Sequence, residues 1–395
     1  MNRKQLLVLL VIVAIVGAVG WMVYSKGKDG ASPGGQRVGE KLLGTFEVND
    51  VAHIVIKQLT NELNLVRKGD LWVVKERGDY PANFSEISDF VRKMSDLKVV
   101  QTEEVGPSQY ARLELLPPGK GGSNSATEVV FLGAGDKPIK DFLLGKKQMR
   151  KGGAPGPMGD EGGFPVGRFV LTPPSQLVAI ISDPVSSAEA KPEQWIQKEF
   201  IKVEKIKAVS LISTNATNSW SVTRDSEAGE WKLANAKADE QLDAGKTGGL
   251  GTAFSSVSFS DVQPASQMTN TGLEKGQQIT IETFDNFKYH FVVGDKTPED
   301  NYYLTVKISG DFKDRTAAKD EKPEDKAKLD KEHKDSVVKL QDKLKQEKTF
   351  ESWIFLVPKW SVDAVLKDRS QLMAEKKDPS TNGPAPSATS PLNIK

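Results

Sequence analysis

The chain has 395 residues, with 54 basic and 53 acidic side chains and a net charge of +1. This balance excludes nucleic-acid binding driven by bulk charge, and 38% hydrophobic with 27% charged residues excludes a protein of many membrane spans. The absence of cysteine excludes disulfides, thiolate nucleophiles, iron–sulfur clusters and cysteine-ligated zinc. With only three histidines in the sequence, we expect no catalytic, cofactor-binding or metal-binding residues and no cofactor.

An apolar segment near the N-terminus predicts a membrane anchor. Residues 6–24 carry no charge and follow Arg3 and Lys4. A helix of this length approaches the ~30 Å hydrocarbon core of a bilayer. The run is longer than the apolar region of a cleavable signal, so we predict an uncleaved signal anchor over residues 1–25 that contacts lipid through 6–24. A signal peptide removed after Gly20 is the alternative.

The remaining chain divides by composition into a stalk, two lobes and a tail. Residues 26–46 are rich in glycine, serine and charge, which predicts a flexible stalk. Residues 373–395 are rich in proline, serine and threonine and predict a disordered tail. Between them we predict a first lobe at 47–202 and a second, related lobe at 203–372.

The sequence of the first lobe predicts several strands and one helix. Three short runs of β-branched and aromatic residues are separated by turn residues. Helical spacing of apolar residues follows from Phe84 to Met94, and Asn83 is placed to cap this helix. The predicted strands are His53–Ile56, Leu63–Val66, Leu71–Val74, Glu128–Leu132 and Phe142–Gly145.

The second lobe repeats this order. A weak helix, loosened by four glycines, is predicted over 241–254. Gly145 matches Gly294, and Phe169–Pro173 matches Ile354–Pro358. A helix-like segment follows each of these two runs in the chain, the first at residues 177–181. The change of offset between these matches predicts an insertion over 313–348. The strands predicted for this copy are Val209–Ile212, Trp220–Val222, Gly229–Leu233, Gln278–Thr283 and Phe291–Asp295. The fold class predicted from both copies is α+β, with a mainly antiparallel sheet and packed helices in each lobe.

The insertion predicts a charged helix. Residues 311–348 contain twelve basic and eleven acidic side chains, a balance that is typical of a solvent-exposed helix with i,i+4 ion pairs. Leu329, Val337, Leu340 and Leu344 form a thin apolar stripe. This stripe either packs back on the body of the protein or docks on a partner, and its thinness predicts a weak contact in the second case.

Three short motifs resemble a known family. Val48-Asn49-Asp50-Val51, Gly69-Asp70-Leu71-Trp72 and Tyr80-Pro81-Ala82, together with the anchor, resemble the domain-of-unknown-function family 4340 over residues 42–372. The resemblance implies a single-span bacterial envelope protein, often encoded near ABC-type transport components of the gliding-motility kind. It implies no catalytic residues, and the glycine-rich loop near 151–167 and the charged stretch 313–348 depart from the family's shorter connections.

Each motif suggesting chemistry has a simpler structural explanation. Gly245-Lys246-Thr247 resembles the end of a phosphate-binding loop but has Glu240 where the motif needs glycine. His53 opens a predicted strand, and alternation places His290 opposite Tyr289 and Phe291. The adjacent Glu103 and Glu104 point to opposite faces if they lie on a strand. The tryptophans are expected mostly in cores, with Trp360 the best candidate for exposure. The tryptophans expected in cores are Trp72, Trp220, Trp231 and Trp353.

These observations predict a non-enzymatic, membrane-anchored envelope protein that acts as a scaffold or auxiliary component of an ABC-type transport or envelope complex. The expected partners are ABC-type transporter subunits, with protein contact through the helix at 313–348. The expected location is the bacterial inner (cytoplasmic) membrane, crossed once, with the body periplasmic. A module that binds cell-wall or exported polysaccharide is the alternative, and an anchored hydrolase using scattered carboxylates has the least support.

Overall fold

A computed structural model describes residues 38–150, 164–173, 177–267, 269–316 and 321–375. The chain forms two compact units that divide between Gln197 and Lys198. Among the described residues, no helix combines the length and apolar character needed to cross a bilayer. The predicted anchor at 6–24 lies outside them, as do residues 26–37 of the predicted stalk, residues 151–163 of the glycine-rich loop predicted near 151–167, and residues 376–395 of the predicted tail.

The first unit is built on one nine-stranded sheet in which all neighbouring strands are antiparallel. The spatial order is β4-β3-β2-β1-β6-β7-β8-β9-β5. One helix, α1 (Phe84–Asp96), lies between β4 and β5 in the chain. The strands are β1 (His53–Gln58), β2 (Asn61–Lys68), β3 (Leu71–Val74), β4 (Tyr80–Pro81), β5 (Val99–Glu104), β6 (Thr127–Leu132), β7 (Pro138–Arg150), β8 (Phe164–Leu171) and β9 (Leu177–Ile181).

Helix α1 forms where the apolar spacing predicts it and contributes a buried stripe. The Asn83 side chain accepts hydrogen bonds from the Ser85 and Glu86 amides, so the predicted cap is present. Ile87, Phe90, Val91 and Met94 are buried, and the Phe90 ring contacts Phe131 of β6 edge-to-face. Phe84, which the spacing also places on the apolar stripe, is 65% exposed because the first helical turn extends beyond this core.

The segment between β5 and β6 also packs against the sheet of the first unit. A segment that includes the 3-10 helix Pro107–Leu113 contributes Val105, Leu113 and Leu115 to a cluster with side chains of β7, β8 and β9. Gly145 lies in β7 where a Cβ atom would clash with the Leu113 carbonyl oxygen. The backbone of this segment therefore approaches the sheet too closely for any other residue at that position.

The second unit has an eight-stranded sheet, again antiparallel between neighbours. Its order is β12-β11-β10-β14-β15-β16-β17-β13. Two α-helices accompany it, α2 (Ala244–Thr247) and α3 (Pro323–Lys348). The strands are β10 (Ile206–Ile212), β11 (Trp220–Thr223), β12 (Lys232–Leu233), β13 (Asp261–Pro264), β14 (Gln277–Thr283), β15 (Phe287–Lys296), β16 (Asn301–Gly310) and β17 (Trp353–Pro358).

Aromatic side chains fill the core of the second unit. The weak helix predicted over 241–254 is reduced to the four residues of α2 and the 3-10 helix Gly248–Thr252, because its glycines favour other backbone conformations. Phe254 stacks on Phe291 with ring centroids 4.1 Å apart, and Phe200 lies 4.4 Å from Phe355. Phenylalanines from loops thus pack on side chains of strands β15 and β17.

The two sheets share one strand order. Across the first sheet from β3 to its edge strand β5, each strand has a counterpart in the same place in the second sheet, from β12 to its edge strand β13. Gly294 of β15 also repeats the role of Gly145, since a Cβ atom there would clash with the Thr271 carbonyl oxygen. Both units are therefore mainly antiparallel sheets with few helices, the α+β class predicted from the sequence.

One part of the predicted alignment is displaced by a strand. The predicted match between Phe169–Pro173 and Ile354–Pro358 pairs β8 with β17, whereas the strand order makes β9 the counterpart of β17. Residues 177–181, predicted as helix-like, form strand β9 and are almost wholly buried. A short apolar run has no period that separates a buried strand from a helix, which explains the error.

Candidate functional site

The charged helix α3 is the most extended exposed element among the described residues of the second unit. It spans 26 residues, starts with Pro323 in its first turn, and lies between β16 and β17. Lys345 and Lys348 in its last turn suit the negative end of the helix dipole. The predicted insertion at 313–348 is thus a helix over its C-terminal three quarters.

The C-terminal end of α3 is held by a buried carboxylate. Glu347 is 5% exposed and accepts hydrogen bonds from the Tyr289 hydroxyl at 2.8 Å and from the Lys202 amide at 3.3 Å. Burial raises the pKa of Glu347, although these hydrogen bonds and the Lys343 ammonium act in the opposite direction. Burial also raises the pKa of Tyr289, and the Glu347 charge adds to this effect.

Lys343, one turn earlier, adds a second attachment. Its ammonium group donates to the Lys202 carbonyl oxygen at 2.8 Å and to Glu204 at 3.2 Å. It also lies 5.4 Å from the centre of the Phe287 ring. The last turns of α3 are therefore fixed on the sheet of the second unit by hydrogen bonds to two different segments.

The N-terminal half of α3 is tied to the segment that leads into it. The Arg315 guanidinium donates to Glu321 at 2.6 Å and to Asp330 at 2.7 Å, and these hydrogen bonds raise its pKa. The His333 Nε2–H donates to the Lys313 carbonyl oxygen at 3.0 Å, since a carbonyl can only accept. Both ends of the helix are therefore anchored within the second unit.

The predicted apolar stripe is divided between the body and solvent. Val337, Leu340 and Leu344 are half-buried, whereas Leu329 is 39% exposed. Val338 is 47% exposed. It lies nine residues after Leu329, which places the two side chains on opposite sides of the helix, so they do not form one stripe. The surface of α3 that faces solvent is consequently made of alternating charges without a continuous apolar stripe.

Among the described residues, the tryptophans range from buried to exposed. Trp72 and Trp220 are 7% and 3% exposed, and Trp360 is 64% exposed as predicted. Trp231 and Trp353 are half-buried. Trp231 occupies the position equivalent to Trp72 but packs under the Arg224 guanidinium, 4.7 Å from its ring centre, instead of entering the core.

The histidines in strands serve structural hydrogen bonds. His53 contacts Asp136 through Nδ1 at 2.8 Å and Asn64 through Nε2 at 2.9 Å. His290 faces away from its buried neighbours Tyr289 and Phe291, and burial lowers its pKa, helped by two lysines. Within the part of the chain that the structure describes, no group of three or more acidic or histidine side chains is arranged to hold a metal ion.

Two carboxylates on neighbouring strands have unusual surroundings that the sequence did not reveal. Burial raises the pKa of Glu128 on β6, and the charge of Asp141 on β7 raises it further. Burial raises the pKa of Asp141 as well. Lys57, which pairs with Glu128 across β1 and β6, lowers both values. The compensating lysine makes this a charge cluster on a sheet face and favours a structural role.

The other motifs form ordinary local structure. Gly245-Lys246-Thr247 lies in the four-residue helix α2, where the Asp243 side chain accepts from the Gly245 and Lys246 amides. An aspartate therefore occupies the amide groups that a phosphate would need. Glu103 and Glu104 are consecutive residues of β5, which places them on opposite faces of the strand, as predicted.

No family model matches this chain, and no significant match was found among curated proteins or solved structures. The resemblance to family 4340 therefore stays a prediction carried by the three short motifs. The structure supports the α+β class and the helix of the insertion, and the role of the protein has to be argued from its surfaces.

Proposed function

We propose that this protein is a non-enzymatic, membrane-anchored envelope component that acts as a scaffold or auxiliary subunit of a transport complex, with α3 as its partner-binding element. The observation that carries the proposal is that α3 is anchored at both ends yet leaves most of its surface in solvent. A helix fixed in this way is already ordered before binding, which reduces the entropy lost on association.

The chemistry of α3 defines the kind of contact. Its solvent-facing surface alternates lysines with aspartates and glutamates, so a partner must present a complementary pattern of charge. Exposed ion pairs contribute about 0–1 kcal/mol each and are screened by salt. We therefore expect a weak contact between α3 and its partner. The contact gains strength when the anchor at 6–24 holds this chain in the membrane that contains the partner, because this raises their effective concentration. ABC-type transporter subunits are the proposed partners, and the bacterial inner membrane is the proposed location.

Crosslinking in intact membranes tests this proposal. Lysine-reactive crosslinking of the full-length chain, followed by mass spectrometry, is expected to recover membrane or ATPase subunits with crosslinks from α3. The test variant is Lys334→Glu with Lys339→Glu, both exposed on α3. Lys237→Glu with Lys275→Glu is the matched control, with the same charge change elsewhere on the second unit. Equal recovery with both variants, or recovery of the chain alone, contradicts a docking role for α3.

Binding to a glycan is the second candidate, and the exposure of Trp360 supports it. This ring follows Pro358 in a 3-10 helix and is 64% exposed, which suits stacking against a sugar face. Retention of the full chain on peptidoglycan or on a neutral polysaccharide, lost in Trp360→Ala and kept in Phe84→Ala, is the expected result. Phe84 is a fair control because it is an aromatic residue with an exposed fraction of 65%, close to that of Trp360. The absence of retention contradicts this candidate.

A further inference from the structure

The first unit contains a large groove whose charged lining residues are mostly basic. Its volume is about 910 Å³, and it lies where β7 and β8 extend beside the 3-10 helix Pro107–Leu113. One acidic side chain, Glu103 of β5, is among the described lining residues. The basic lining residues are Arg112, Lys146, Lys147 and Arg150. This excess of cations predicts an anionic ligand.

The floor of the groove is apolar. Leu113, Met149, Val166 and Phe169 line it, and Met149 and Val166 are 54% and 44% exposed. Phe164, at the start of β8 near these residues, is 78% exposed. Exposed apolar side chains next to cations indicate that the ligand carries apolar groups together with its negative charges.

The cations are spread along the groove. Lys146 and Arg150 are four residues apart on β7, which separates them by about 13 Å along an extended strand. A single charged head group, as in a lipid or a fatty acid, can meet only one end of this row. A chain with several negative charges therefore fits better than a lipid.

The backbone at this site favours a peptide. Strand β6 pairs with β7 only as far as Leu144, so in the described sheet Lys147–Arg150 pair with β8 alone, and Lys146 lies at an irregularity in that pairing. An extended peptide can lie along such a strand, with acidic side chains meeting the cations and alternate apolar side chains meeting the floor. A polyanionic glycan has the charges but lacks the apolar groups that would pack on the exposed side chains of Met149 and Val166.

We propose that this groove, lined by Arg112, Lys146, Lys147 and Arg150, binds an extended acidic peptide segment of a partner protein that alternates carboxylate and apolar side chains. The site lies entirely in the first unit and uses none of the residues of α3. It therefore stands or falls independently of the docking role proposed for that helix.

Fluorescence anisotropy of a labelled synthetic peptide tests the proposal. The full-length chain, held in a neutral detergent, is titrated against a short peptide that alternates glutamate with leucine. We expect saturable binding that weakens as salt is added, since the charges are exposed. A peptide that alternates glutamate with serine is expected to bind more weakly because it has no apolar groups. Absence of binding to the first peptide, or equal binding of both, overturns the proposal.

Charge-reversal variants locate the site. Lys146→Glu changes an exposed lysine in the groove, and Lys137→Glu makes the same change at an exposed lysine just before β7. The first is expected to weaken binding about tenfold, as an attraction becomes a repulsion, and the second to leave binding unchanged. Equal effects of the two variants overturn the proposal, because binding then follows total charge and not this groove.

Competition separates the ligand classes. A fragment of polygalacturonate and a water-soluble, short-chain phosphatidylglycerol are added to the bound peptide in turn. We expect both to displace it only at concentrations well above those at which the unlabelled peptide does so. Displacement by either compound at lower concentration overturns the assignment to a peptide and identifies the groove as a glycan or lipid site. Met149→Gln, at an exposed floor residue, is expected to weaken the leucine-containing peptide more than the serine-containing one.

Discussion

Replacing Glu347 tests how the C-terminal end of α3 is held. In Glu347→Ala the Tyr289 hydroxyl and the Lys202 amide both lose their acceptor. A buried donor without an acceptor costs about 1–3 kcal/mol, and relief from burying the carboxylate offsets part of this loss. We expect the docking of α3 to weaken by about 2 kcal/mol, which is roughly a 30-fold increase in local opening measured by amide hydrogen exchange.

The same carboxyl group makes docking depend on pH. Burial raises the pKa of Glu347, so the folded chain holds this proton more tightly than the unfolded chain does. Its contribution to stability is therefore complete below the unfolded pKa, about 4.3, and declines as the pH rises through the folded value. Of the surrounding charges, Lys343 lowers this pKa and Glu204 raises it.

Glu347→Gln separates the hydrogen bonds from the charge. The amide keeps an acceptor oxygen, so we expect little weakening of docking. We also expect this variant to lack the decline with rising pH that the wild-type carboxyl contributes, after correction for intrinsic exchange rates. Asp342→Asn removes an exposed charge from the same helix and serves as the control. A Glu347→Gln variant that keeps the wild-type pH dependence, or a Glu347→Ala variant within about 0.5 kcal/mol of wild type, contradicts this account of docking.

Three further substitutions probe the sheets, each followed by urea unfolding of the full chain. Arg168→Met should lower the free energy of unfolding by about 3 kcal/mol, because the buried guanidinium donates to four backbone carbonyls and one hydroxyl; Arg150→Met, at an exposed site, should change it by less than about 0.5 kcal/mol. Asn83→Ala should cost about 1 kcal/mol by removing the cap of α1, and an unchanged midpoint contradicts this. Gly294→Ala should destabilise by at least about 1 kcal/mol through its clash with a carbonyl oxygen, whereas Gly248→Ala, which has open space, should not.

The local pattern was sufficient to predict much of the fold. Asn83 and the spacing that follows it predicted α1, and alternation correctly placed His290 on the face of β15 opposite Tyr289 and Phe291, which are buried. These predictions succeed because each depends on neighbours within one element. The strand β9 was predicted wrongly because it is buried on both faces, so its apolar run carries no alternation.

The candidate binding surfaces were harder to predict because they depend on tertiary neighbours. The Glu347 carboxylate and the Tyr289 hydroxyl are 58 residues apart in the chain. The basic groove joins Arg112 of a 3-10 helix to cations of β7, and only the adjacent Lys146 and Lys147 gave any local indication of it. Buried Arg168 was missed for a related reason, since an arginine in a strand is usually a surface residue.

The position of α3 between β16 and β17 has a consequence for the order in which the second sheet assembles. In the first unit five residues separate β8 from β9 in the chain, whereas about 40 residues separate β16 from β17. Because closure entropy grows by about 0.6 kcal/mol per doubling of length, bringing β17 to β16 costs roughly 2 kcal/mol more than the equivalent step in the first unit. Strand β17 also carries β13 on its other side, so the edge of the second sheet forms late, and helical structure in α3 speeds this step by shortening the span that has to close.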